Sequence, residues 1–163
     1  MNAGDILKYG HGTILQTIDG LPDAAWETGG VCGVWSTKDV IAHLASYEQL
    51  LVEVLSAFTG GGPTPTMRMW GELGMGFNDR QVEMRKDASA ADVLTEYNAA
   101  HDRVRGRVAE IPAETFRQTG TLPWYGAEYS LDDFIVYTYY GHKREHSAQI
   151  AAFRDRMRPN EPK

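Results

Sequence analysis

One pattern constrains this chain more than any other: a helix-capping residue followed three positions later by an aspartate. It occurs as Asn2–Asp5, Ser36–Asp39, Ser89–Asp92 and Ser130–Asp133. The first side chain accepts from a free backbone N–H of an opening helical turn. The acid lies where the helix dipole favours negative charge and reaches back to the cap N–H. Two sites add a hydrophobic staple, Trp35 with Val40 and Tyr129 with Phe134.

Each signature opens an apolar stripe of helical period. Ile6, Leu7, Ile14, Leu15 and Ile18 mark the first. Val40, Ile41, Leu44, Tyr47, Leu51, Val54, Leu55 and Phe58 mark the second. Val93, Leu94, Tyr97, Val104, Val108 and Ile111 mark the third, and Leu131, Phe134, Ile135, Tyr139, Ile150 and Phe153 the fourth. Gly20-Leu21-Pro22, Gly60-Gly61-Gly62-Pro63, Pro112 and Pro159 supply the stops. Alternating strand patterns are absent. The reading is all-α, a four-helix bundle. The connection Gly60–Ala88 is the longest and can cross the bundle, so an up-down-up-down order is not required. A short extra helix is expected within it, from Phe77 to Lys86.

The 163 residues predict one domain, 1–163. Sixteen Lys plus Arg against 22 Asp plus Glu give a net charge of −6, with no basic run to bind nucleic acid. No apolar stretch is long enough for a membrane span. The opening MNAGDILKYGHG has neither the basic nor the apolar region of a secretory signal. Cys32 is the only cysteine, so an internal disulfide is excluded. These features predict a soluble, cytoplasmic protein without nucleic-acid or membrane partners. Cys32 reads as a loop thiol, and a thiol used in chemistry would have to come from a cofactor.

Histidines carry the chemistry. His142 and His146 are spaced i, i+4, which sets two imidazoles on one helix face within reach of one metal ion. They interrupt the fourth stripe between Tyr139 and Ile150, so both are expected to face inward. His43 interrupts the second stripe between Val40 and Tyr47. Three inward histidines on two helices can form a metal site with open coordination positions. They can equally be core histidines bonded to carbonyls or tyrosines. His11 and His101 lie on the first and third stripes, as candidate catalytic bases beside the metal or as flank residues.

Two segments resemble the DinB/YfiT-like metalloenzymes: WSTKDVIAHLASYEQLLVEVL, which holds His43, and GHKREHSAQIAAFRDRM, which holds His142 and His146. The run GFNDRQVEMRKDASAADVLTEY resembles the approach to the family's third helix, and is especially like the N-terminal metal-binding domain of mycothiol-dependent maleylpyruvate isomerases. The resemblance implies an up-down-down-up bundle. It also implies a divalent metal, zinc or nickel, on His43, His142 and His146, and a homodimer. It further implies a transferase using a low-molecular-weight thiol on a small electrophilic substrate. A metal-dependent hydrolase or isomerase, or a non-catalytic stress-related metal- or ligand-binding protein, is the alternative. The isomerases place a glutamate where this chain has His142, and a colibactin-resistance branch lacks the histidine that stands here as His43. Tyr47, Asn78, Arg80, Trp124 and Tyr139 are the candidate substrate-binding residues.

Overall fold

All four predicted caps close their helices in the computed structural model, which describes residues 2–158. Asn2 Oδ1 accepts from Asp5 N at 3.0 Å and Ser89 Oγ from Asp92 N at 3.0 Å. Ser36 with Asp39 and Ser130 with Asp133 form complete reciprocal boxes. Trp35 packs on the cluster that holds Val40. At the other staple Tyr125 intervenes, with its ring 5.0 Å from Phe134 and 5.2 Å from Tyr129.

The caps open α1 (Ala3–Ile18), α3 (Thr37–Ser56), α6 (Ala90–Glu110) and a last helix that runs unbroken from residue 131 to 157. That helix begins as α7 (Leu131–Phe134), widens into a π-helical stretch at Ile135–Tyr140, and continues as α8 (Gly141–Met157). Its π stretch is a run of β-branched and aromatic residues just ahead of the paired histidines. Such widened turns recur beside functional sites. Pro159, the expected stop, lies outside the described residues, and α8 ends at an extended Arg158. Among the described residues there is no β-strand, only isolated bridges at Cys32–Trp35 and Thr119–Ser130. None of their helices is long and apolar enough to cross a membrane.

Helix α3 lies along α6, and α1 lies along the last helix. Among the described residues three short α-helices lie between the long ones: α2 (Asp23–Trp26), α4 (Pro65–Leu73) and α5 (Phe77–Glu83). The sequence pattern predicts α5 but not α4. Helix α4 starts on Pro65, and no neighbouring side chain caps it. Its cap comes from α3, where the Glu53 carboxylate accepts from Thr66 N at 3.0 Å and Met67 N at 2.8 Å. Two N–H groups of the first turn are thereby satisfied by a distant residue. Lys38, buried, ties the far end of the crossover by donating to the carbonyls of Lys86 and Ala88, each at 2.9 Å.

The apolar core falls into two clusters. One gathers Leu7, Leu51, Val104, Leu131, Phe134 and Tyr139; the other gathers Ile14, Leu44, Val93, Tyr97, Ile150 and Phe153. Between them each long helix contributes one polar residue: His11 from α1, Glu48 from α3, His101 from α6 and Lys143 from α8. The stripe of the last helix therefore passes through a buried lysine, not through His142.

Candidate metal centre

His43 sits two turns into α3, and His142 and His146 occupy the first turns of α8. His142 Nε2 lies 2.8 Å from His43 Nε2 and 2.9 Å from His146 Nε2. One ligand atom from each of the three falls within 4.8 Å of the others. His43 and His146 are buried, whereas His142 is half-buried at the edge of its stripe. The sequence expectation that all three approach one another holds, and His142 faces less fully inward than expected.

Hydrogen bonding alone satisfies this arrangement poorly. His146 Nδ1 lies 2.8 Å from Gln149 Oε1, an acceptor, so that nitrogen carries the ring proton and Nε2 keeps its lone pair. One Nε2–H on His142 would then have to serve two neighbours. His43 Nδ1 is buried with no partner. Three neutral imidazole nitrogens converging on one point suit zinc, nickel and other first-row divalent ions. Tetrahedral ligands at roughly 2.0–2.1 Å from a metal stand about 3.3 Å apart, so small ring rotations from the present spacing suffice.

Electrostatics keep the cluster uncharged. Burial first, then the other two imidazoles, lowers the His43 pKa to about 2. Burial, His146 and Lys143 lower that of His142 to about 4. Burial lowers His146 as well, opposed by Gln149 and Glu145. Metal ligation requires deprotonated imidazole, and these rings meet that condition at neutral pH. The same shifts fix a stability trend. Below pH 6.5 the unfolded chain takes up protons that the folded cluster refuses, so stability falls as pH drops towards the folded values. His43 and His142 together are expected to cost metal-free protein roughly 3–4 kcal/mol between pH 7 and pH 5. Urea midpoints measured at pH 7, 6 and 5 check this, and a flat midpoint would contradict it.

Aromatic rings wall the cluster. Trp35 stands 5.1 Å from His43, brought there by a tight turn in which Val31 N donates to Trp35 O and Trp35 N to Cys32 O. Gly33, at φ +57, provides the left-handed step of that turn. Tyr47 lies edge-on to both His43 and His142, at 4.9 and 5.0 Å. Burial raises the Tyr47 pKa, and the Asn78 side chain acts against that. Tyr139 is buried and donates its hydroxyl to Tyr47 O at 3.0 Å, so it supports Tyr47. Phe134 joins Tyr139 to Trp124, whose ring also meets Trp70. Trp124 is therefore linked to the clustered histidines only through Phe134, Tyr139 and Tyr47, and it is 44% exposed. Arg80 is exposed and forms no ion pair among the described residues.

His11 and His101 join a different group. Their rings stack at 3.8 Å with 4° between planes. His101 Nδ1 faces Glu48 Oε2 at 3.4 Å, and the other carboxylate oxygen is in contact with the Lys143 ammonium. Burial alone would push the Glu48 carboxyl pKa up, but Lys143 and His101 outweigh it and hold it down. Burial, then His101 and Lys143, lowers His11 to about 3. Gly10 on α1 makes room for this layer, since a Cβ there would stand 3.3 Å from Lys143 Cδ. Sequence reasoning left Lys143 and Gln149 out. Lys143 was detectable as the residue four beyond Tyr139 on the same stripe, and Gln149 as the residue three beyond His146.

The family profile described as the DinB superfamily matches residues 7–150, which include all three clustered histidines. No curated protein and no solved structure matches the chain.

Proposed function

The chain belongs to the DinB superfamily, and from that membership we propose that it binds a divalent metal through His43, His142 and His146. The convergence of three uncharged imidazole nitrogens carries this reading. It accords with a four-helix bundle in up-down-down-up order, in which α3 and α8 present their histidines to one another. Three protein ligands leave coordination positions open, the style of a catalytic site. The chemistry such an ion supplies is a lowered pKa for a coordinated thiol or water.

The reaction we infer is transfer of a low-molecular-weight thiol onto a small electrophile. The chain's own thiol is poorly suited, since Cys32 is half-buried in the turn leading to Trp35. Trp35 and Tyr47 shield the ligand rings from water and offer an apolar wall. Gln149 holds the His146 ring in the orientation that turns Nε2 toward its partners.

Elemental analysis of full-length protein purified without an affinity tag or chelator tests the site. The expected result is about one equivalent of zinc or nickel in the wild type and none in His142→Ala/His146→Ala. No metal in the wild type, even after reconstitution, would overturn the proposal. Loaded protein is then assayed with thiols and electrophiles. Turnover without added thiol would replace the transferase reading with a hydrolase or isomerase.

A further inference from the structure

A groove of about 840 Å³ runs between α1 and α6, and none of the three clustered histidines lines it. Its volume is in the range of sites for small organic ligands. The two helices touch far less than α3 and α6 do. Gly12 adds to the opening, because a Cβ there would meet nothing within 4 Å.

The lining is chemically organised. His11 and His101 lie in it, stacked on one another. Glu48, fully buried, faces Nδ1 of His101. The carboxylate accepts from that nitrogen, and in the neutral ring this leaves Nε2 as the acceptor on the remaining edge. Lys8 from α1 and Arg105 from α6 also line the groove, and neither forms an ion pair among the described residues. Asp102 brings one opposing charge, so the lining carries a net positive balance.

We propose that this groove is a second ligand site, which takes a small organic anion bearing a hydroxyl group. Lys8 and Arg105 hold the anionic group, and His101 Nε2 accepts a hydrogen bond from the hydroxyl. The pairing follows from what each group offers. The two cations are donors without an acceptor of their own, and the oriented imidazole is an acceptor without a donor.

Mandelate and phenylacetate differ by one hydroxyl and serve as probes. Each is titrated into full-length protein while the ring nitrogens of all five histidines are followed by NMR. Mandelate is expected to shift His101 and His11 and to bind at least about threefold more tightly than phenylacetate. Arg105→Ala should weaken mandelate about tenfold. Gly12→Trp should abolish binding by filling the groove. Arg105 is exposed, and Gly12→Trp enters open space on a helix, so both variants are expected to fold. Equal binding of the two acids would overturn the proposal. So would mandelate binding that survives Gly12→Trp, shifts confined to His43, His142 and His146, or no response at any histidine.

Discussion

Lys143→Ala is expected to destabilise the protein by about 3–5 kcal/mol. Lys143 is 2% exposed and Glu48 0%. Removing the ammonium leaves a buried carboxylate facing only His101, at 3.4 Å. An uncompensated charge in that position costs far more than the lost contact itself. Glu48→Ala should cost a similar amount, because Glu48 is the only carboxylate paired with Lys143 among the described residues. The double variant Glu48→Leu/Lys143→Met should recover most of the loss, since both charges then leave the interior together. Urea denaturation of the metal-free proteins at pH 7 measures all of these. A loss under about 1 kcal/mol in either single variant would mean that water solvates the remaining charge. The pair also has its own acid window, separate from that of the histidines. The depressed Glu48 pKa contributes stability that is present above the ordinary carboxylate range. It is lost as pH falls below about 4.5 towards the folded value.

The second large effect belongs to the metal. Zinc added to metal-free protein at 100–1,000 times its dissociation constant is expected to raise stability by about 3–4 kcal/mol. For a chain of this size that is a rise in Tm of roughly 6–16 °C. His43→Ala should abolish the zinc-dependent increment, whatever the substitution costs the metal-free fold. The comparison is made within each protein, with and without zinc, so cavity formation at residue 43 cancels. An undiminished increment in His43→Ala would remove His43 from the ligand set and leave the i, i+4 pair on α8 to hold the ion alone.

The polar layer and the histidine cluster together explain why the last helix departs from simple amphipathicity. Its buried edge runs Tyr139, Lys143, His146, Ser147 and Ile150, so three polar residues interrupt it between two apolar ones. Lys143 turns toward α1, α3 and α6, whereas His142 turns toward α3. Adjacent residues on one turn thus serve two different groups.

Helix positions were legible from the sequence because they rest on local chemistry. A serine or asparagine cap, an aspartate three residues on and a stripe of period 3.6 act within one helix and need no partner. The cluster was partly legible for the same reason. The i, i+4 spacing fixes His142 beside His146, and interruption of an apolar stripe marks His43. The approach of His43 to that pair is a tertiary contact between α3 and α8, and spacing along the chain carries no information about it.

The remaining features depended on groups distant in sequence. Helix α4 forms where a loop was expected because Glu53, on another helix, satisfies its first N–H groups. His11 and His101 read as candidate bases beside the metal or as flank residues; the fold stacks them on one another next to Glu48 and Lys143. Which segments are helical, which faces are apolar and which two histidines share a helix face can all be read along the chain, because they follow from backbone geometry and capping within a few residues. Which polar groups share the interior depends instead on how the helices pack, because a buried charge is tolerated only where packing brings its counter-charge into contact.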